Sequence, residues 1–184
     1  MMKTVFIGGS RNVRVLDEDV RRRLDRITQQ RLAVVIGDAN GADKAVQDYL
    51  HQRGYAAVTV FCMDGHCRNN IGRWPLRAVV SRRRRKDFQY YATKDRLMAQ
   101  EADAGLMIWD GCSVGSLANV GRLARQDKTV LVHLMANGQT VRITREADWQ
   151  HLLAACPAAA RARVEEELRI EEGEPVSRSE ASLF

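Results

Sequence analysis

No stretch of the 184 residues approaches the run of about 18 apolar residues that a membrane helix needs. The opening MMKTVFIGGSR holds too short an apolar segment for a secretory signal. A membrane partner is therefore not expected, and the expected location is cytoplasmic. Cysteine is sparse: Cys62, Cys67, Cys112 and Cys156 do not make a disulfide framework, and free thiols are expected. Cys62, His66 and Cys67 amount to half a metal site, but no second pair with ligand spacing follows, since His51, His133 and His151 stand alone. No metal and no cofactor is expected. Repeats of solenoid length are lacking as well, which excludes a stacked array. Between Gly65 and Lys86 there is no acidic residue at all.

At roughly 150 residues per domain the length fits one compact unit with a terminal appendage. Hydrophobic residues at 45% and charged residues at 28% are a globular composition. The formal charge is +6, and its excess is local. Arg68, Arg73, Arg77, Arg82, Arg83, Arg84, Arg85 and Lys86 crowd the acid-free segment, whereas glutamates dominate from Arg163 onward. A weak, salt-dependent affinity for nucleic acid through residues 66–86 follows from that clustering.

Residues 3–9 (KTVFIGG) and 32–37 (LAVVIG) read as buried strands, with a helix from Asp17 to Gln30 between them carrying Val20, Leu24 and Ile27 at helical spacing. A second helix over 41–53 leads to a strand at 57–61. Residues 62–86 have little periodicity and read as a long basic insertion. A helix over 87–102, a strand at 106–109, a helix to about Gln126 and the strand TVLVHL follow. Five strands alternating with helices predict a three-layer α/β, Rossmann-like domain with a parallel sheet. A hairpin through Asn137-Gly138 and two further helices end the pattern. The expected division is a domain over 1–155, a C-terminal helix over 156–172 and a flexible tail over 173–184.

Ligands of open parallel sheets bind beyond the carboxyl ends of the strands, and three glycine-rich loops lie there. Gly8-Gly9-Ser10-Arg11 offers close backbone approach and a forked phosphate donor, although it is neither a Walker loop nor GxGxxG. In the loop from Gly37 to Asp43, Asn40 and Asp43 have the spacing of a capping box around Gly41, which leaves Asp38 as an acceptor for ribose hydroxyls. Asp110-Gly111-Cys112-Ser113-Val114-Gly115-Ser116 opens a helix whose N–H groups and dipole favour an anion, with Ser113 and Ser116 adding hydroxyls. Asp95 interrupts an apolar stripe on the preceding helix, with Lys94 at the stripe's edge: either the pair points toward the site or it forms a structural contact. Trp74, Tyr90 and Tyr91 are candidate stacking groups for a nucleic-acid strand.

With FIGGSR at 6–11, GDANGAD at 37–43 and the block from Thr93 to Asn119 in view, the chain resembles the SLOG superfamily. That is the Rossmann-like family of DNA-processing protein A and the LOG phosphoribohydrolases, and the nearer likeness is to its small YspA-like, or DUF2493-like, branch. The resemblance spans residues 3–132 apart from the insertion. It implies binding of a nucleotide or nucleotide-derived ligand, with phosphate on the glycine-rich loops, and by analogy a homodimer. Some members cleave N-glycosidic bonds, others are thought to sense nucleotides, and DNA-processing protein A binds single-stranded DNA. The hydrolase motif, an arginine-lysine pair followed by PGGxGTxxE, is altered here. Its arginine falls near Thr93, its lysine at Lys94, its glycine loop at Asp110 to Ser116, and its glutamate at Asn119. An amide cannot act as a general base. A nucleotide-binding or sensing module is therefore the expectation. The alternatives are an N-glycosidase using a carboxylate from elsewhere, Asp38 or Asp95 being the candidates, and a single-stranded nucleic acid binder.

Overall fold

The computed structural model describes residues 2–173. Its strands are β1 (Thr4–Gly9), β2 (Ala33–Gly37), β3 (Val58–Met63), β4 (Leu76–Val79), β5 (Ala104–Trp109), β6 (Thr129–Leu134) and β7 (Gln139–Ile143). Its helices are α1 (Glu18–Gln29), α2 (Ala42–Gln52), α3 (Phe88–Glu101), α4 (Val114–Ala124), α5 (Glu146–Ala154) and α6 (Ala158–Glu172). All strands share one sheet in the order β4-β3-β2-β1-β5-β6-β7, parallel except for the antiparallel β6–β7 pair. The α/β, Rossmann-like expectation is met.

Side chains alternate across a strand with a period of two, so each strand feeds two cores. Val5 and Ile7 of β1, with Val34 and Ile36 of β2, pack beneath α1 and α2 together with Val20, Leu24, Val46 and Leu50. Phe6, Val35, Phe61 and Met107 face the other way, toward Leu97 and Met98 of α3 and Leu117 and Val120 of α4. Each such fully buried side chain contributes roughly 1.5–3 kcal/mol. Helix α1 starts where Asp17 accepts from the Val20 amide at 2.9 Å, with Glu18 and Asp19 in its first turn favouring the helix dipole. Val20, Leu24 and Ile27 are its buried stripe.

Three expectations change. The segment 62–86 is not a plain loop: β3 runs on to Met63, and Leu76–Val79 pairs with β3 as a parallel edge strand. Residues 64–75 are therefore a helix-free crossover, exposed at the turn Asp64 to His66 and pinned to the body further along. Trp74 is buried and donates from its indole N–H to the Tyr55 carbonyl at 2.8 Å. Gln47 of α2, wholly buried, donates to the Gly37 carbonyl at 2.9 Å and accepts from the Ile71 amide at 3.1 Å. The pattern was illegible because an edge strand of four residues flanked by arginines carries no alternation. Second, Cys62 and Cys67 are joined in a disulfide, while Cys112 and Cys156 are free. Third, β4 and β7 bring the expected five strands to seven, the turn between β6 and β7 closing as expected through Gly138 at φ 68°.

Beyond the sheet, α5 and α6 close the second core through Trp149, Leu153, Val164 and Leu168. The expected C-terminal helix thus belongs to the packed body, and the expected tail lies, beyond Gly173, outside the described residues.

The Asn40–Asp43 capping box does not form. Gly41 is the N-cap of α2, at φ 84° and without a side-chain cap bond, while Asp43 reaches back to the Ala39 amide at 3.2 Å and Asn40 accepts from Asn69 at 3.0 Å. A Cβ at Gly41 would sit 2.2 Å from the Arg11 carbonyl oxygen, in a conformation L side chains rarely adopt. Gly41→Ala is expected to cost at least about 2 kcal/mol in urea unfolding, from strain and backbone collision together. A loss below about 0.5 kcal/mol, the scale of an ordinary surface substitution, would contradict that reading.

Candidate functional site

Strand order reverses at β1, where the chain leaves toward β2 on one side and returns at β5 on the other. Open α/β sheets hold ligands at such a point, outside the carboxyl ends. A cavity of about 620 Å³ lies there. Gly8 and Gly9 at the end of β1, Arg11 beyond them, Asp43 of α2, Lys94 and Asp95 of α3, Ser113 just before α4, and Gly115, Ser116 and Asn119 of α4 all line it. The backbone approaches closely because Gly9 has no side chain: a Cβ there would lie 2.4 Å from the Ile108 carbonyl oxygen and 2.7 Å from the Ala42 Cβ.

The anionic end of a ligand would meet α4. Ser113 is the N-cap, its hydroxyl accepting from the Ser116 amide at 3.3 Å. Helix geometry leaves the amides of Val114 and Gly115 without intrahelical acceptors, and both residues line the cavity. Asp110 holds the loop rather than the ligand. Its Oδ1 accepts from the Cys112 and Ser113 amides at 3.0 and 2.8 Å and from the Ser10 hydroxyl at 2.8 Å, and its Oδ2 accepts from Asn12. Burial alone would raise its pKa, but these donors hold it below the ordinary carboxylate value.

Two arginines and an aromatic ring form the opposite wall. The guanidinium groups of Arg11 and Arg68 lie 5.6 and 5.3 Å from the centroid of the Tyr91 ring, within cation–π range. Arg68 clamps Asp38: its Nε and Nη2 donate to the two carboxylate oxygens at 3.0 and 2.8 Å, and its amide adds a third bond at 3.1 Å. Burial works to raise the pKa of Asp38, and these bonds together with the Lys94 charge bring it below the ordinary value.

Behind the wall lies a chain of buried polar groups. Lys94, wholly inside, has its Nζ 3.0 Å from Asp95 Oδ1 and 3.9 Å from Asp38 Oδ1. Desolvation would discharge it, but the charges of Asp95, Asp43 and Asp38 raise its pKa above the ordinary lysine value. Asp95 in turn accepts from Asn119 Nδ2 at 3.5 Å. Burial pushes it up, and the Lys94 and Arg122 charges bring it below the usual range, so it stays ionised. Arg122 completes the series, donating to Asn119 Oδ1 and pairing with Glu171 of α6. Asp43 behaves otherwise: burial outweighs the Lys94 charge, and its pKa rises to about 6.

Several expected site residues stand back from the cavity. Ser10 is fully buried under the loops, Asp38 sits behind Arg68, Asp110 and Gly111 shape the α4 loop, and Asn40 and Gly41 line a neighbouring cavity of about 390 Å³ with Arg11, Arg14 and Lys44. Asp38 therefore does not present a free carboxylate to a ribose; both its oxygens are engaged by Arg68. Lys94 lies in the interior rather than at the edge of its stripe. Of the aromatic candidates, Trp74 belongs to the core and the Tyr90 hydroxyl is spent on Asp64, leaving Tyr91 at the cavity. The basic segment is also partly neutralised, since Arg68, Arg77 and Arg83 pair with Asp38, Glu101 and Asp87. Sequence reasoning missed Arg68, Lys86 and Arg163 as lining residues. The first two were visible only as anonymous positive charge, and Arg163 arrives from a helix remote in sequence.

Near the site, Asp38, Cys62 and Cys67 bring ligand atoms within 4.8 Å of one another, with Asp38 where the sequence offered His66. The sulfurs are bonded to each other, so they present no thiolate to a cation.

An open, mostly parallel sheet with a cavity at its switch point defines a Rossmann-like fold. Among solved structures, the chain is similar to DNA processing protein A from Helicobacter pylori, described for its unique single-stranded DNA binding mode, with TM-score 0.57 and 12% identity over 91% of this chain and 81% of that one. It is also similar to DNA processing protein A from Streptococcus pneumoniae, with TM-score 0.53 and 16% identity over 83% of this chain and 56% of that one. At such identities the likeness is one of fold. No protein-family model and no curated protein matches the chain. No helix among the described residues is long and apolar enough to cross a membrane.

The raised pKa of Asp43 yields a pH dependence. Its protonated form is favoured by the fold, so its contribution to stability is full below pH 3.8 and is lost as pH rises through about 6. Protonation also removes a negative charge from the cavity wall. Sulfate, whose own charge is constant in this range, is expected to bind about threefold to tenfold more tightly at pH 5 than at pH 7.5. Asp43→Asn should flatten the profile near the low-pH affinity. A flat profile in the wild type, measured by calorimetry, would contradict the assignment.

Proposed function

We propose that the chain binds a nucleotide or nucleotide-derived ligand, its phosphate seated at the start of α4 and its remaining groups against Arg11, Arg68 and Tyr91. The observation carrying this reading is the convergence on one cavity of an N-terminal helix turn, two arginines and an aromatic ring. Amides and the helix dipole suit a phosphate, forked guanidinium groups suit its oxygens, and a ring face suits a base. The sequence motifs place the chain, on this reading, near the small YspA-like branch of the SLOG family. Recognition without hydrolysis fits the Asn119 amide, which is held between Asp95 and Arg122 and has no proton-accepting role.

A second reading, single-stranded DNA binding, draws on two observations. Two solved structures of similar fold are of DNA processing protein A, one of them described for its single-stranded DNA binding, and this supports a strand ligand more directly than it supports a free nucleotide. Arg82, Arg84, Arg85 and Lys86 are exposed, and Lys86 lies on the cavity rim. A strand would then place one nucleotide in the cavity and run its backbone along these residues, with strong salt dependence.

Calorimetric titration with nucleoside monophosphates and with an oligodeoxythymidine separates the two. Arg11→Ala is expected to weaken either ligand by roughly 1.5–3 kcal/mol, the scale of a charge-assisted hydrogen bond. Replacing Arg82, Arg84 and Arg85 by serine should spare the mononucleotide and lower both oligonucleotide affinity and its salt slope, the slope by up to about 2 to 3. Wild-type protein is expected to release no free base from the monophosphates. Turnover abolished by Asp95→Asn would replace the binding reading with an N-glycosidase, and no binding of either ligand at millimolar concentration would overturn both readings.

A further inference from the structure

The residue after the Cys62–Cys67 bridge is Arg68. The bridge ties the crossover to the end of β3 at the point where Arg68 turns back to give Asp38 three hydrogen bonds and to lay its guanidinium over Tyr91. The intervening turn, Asp64 to His66, is exposed, and Asp64 and Gly65 hold φ at 51° and 74°. A closed loop with a sequence separation of 5 restrains the unfolded chain little, while Cys62 itself packs in the first core and Cys67 against it. The bridge therefore bears on the short segment it closes, and Arg68 is the next residue along. Downstream, Asn69 and Ile71 are anchored independently, by the Asp38 carbonyl and by Gln47. Cys62 is buried, whereas Cys67 is half-buried beside the exposed turn, so its sulfur is the approachable one.

We propose that Cys62 and Cys67 form a reversible thiol–disulfide site whose oxidised form seats Arg68 in the cavity wall and whose reduced form releases it, so that redox state sets the affinity for an anionic ligand. The affinity half rests on the binding reading above; the seating of Arg68 does not. A dithiol reductant supplies the chemistry. One of its thiolates attacks Cys67 Sγ, the S–S bond breaks, and Cys62 leaves as a thiolate that takes up a proton. The second thiol of the reductant then displaces Cys67, which is protonated in turn, and the reductant closes its own disulfide. Two electrons and two protons pass to the protein.

The test compares the full chain after air oxidation, the same chain in dithiothreitol, and the double variant Cys62→Ser, Cys67→Ser. Alkylation and mass spectrometry read the thiols, hydrogen exchange reads the amides of residues 64–68 without ligand, and calorimetry reads sulfate affinity. Reduction is expected to speed exchange of the Arg68 amide by roughly tenfold or more and to weaken sulfate binding by about fivefold. The double variant should match the reduced chain whatever the reductant, which also separates the effect from Cys112. Unchanged exchange over 64–68, or four free cysteines after oxidation, would overturn the proposal. Faster exchange with equal sulfate affinity in both forms would overturn the control of affinity. Absence of sulfate binding in every form would count against the binding reading, with the exchange data still deciding the seating of Arg68.

Discussion

A lysine ammonium taken out of water costs several kcal/mol unless charge and hydrogen bonds replace the solvent, and Lys94 is buried at the centre of the carboxyl edge of the sheet. Asp38 from the loop after β2, Asp43 from α2 and Asp95 from α3 are its counter-charges. These come from different elements, so the charge balance is met only when the sheet, α2 and α3 are assembled together. Space is made for it at Gly37, where a Cβ would come within 2.5 Å of Asp43 Oδ2 and 2.8 Å of Lys94 Nζ. The surplus of carboxylates accounts for the divided behaviour of the cluster: Asp38 and Asp95 are held ionised, while Asp43, with burial dominant, is shifted toward neutrality.

The remaining site geometry hangs from this cluster. Arg68 is anchored on Asp38, and from there it reaches Tyr91, the ring it shares with Arg11. On the other side Asp95 hands on to Asn119 and Arg122, and so to Glu171 on α6. A helix late in the chain is thereby coupled to the cavity, which Arg163 also lines. Arg11, Arg68 and Lys86 line the cavity with Asp38 standing behind Arg68, while Asp43 and Asp95 share the lining with Lys94. The arginine side of the cavity is thereby a positive wall of the kind that suits a phosphate.

The sheet was legible in the sequence because β1, β2, β5 and β6 are buried on both faces and read as short apolar runs between glycines, and because the α1 stripe has clean helical spacing. The convergence of the glycine-rich loops at one sheet edge was legible by topology alone, and one cavity there collects Gly9, Arg11, Ser113 and Ser116. What failed depended on contacts between residues distant in sequence. The partner of Asp38 is thirty positions away, in a segment whose polarity and lack of period look like a solvated insertion. Trp74 reads as an exposed stacking group until Asn70, Tyr55 and His51 are seen to enclose it. The apparent capping box yielded to Gly41, whose positive φ already starts α2, freeing Asp43 for the buried cluster.

On the proposed function, the cavity receives a phosphate between the first turn of α4 and the Arg11–Tyr91–Arg68 wall. The most direct measurement is a crystal structure of the chain soaked with a nucleoside monophosphate at saturating concentration. The account predicts phosphate oxygens within about 3 Å of the Val114 and Gly115 amides, with at least one of the two guanidinium groups completing the contact. A phosphate bound away from this turn, or a cavity left without nucleotide at saturation, would contradict it.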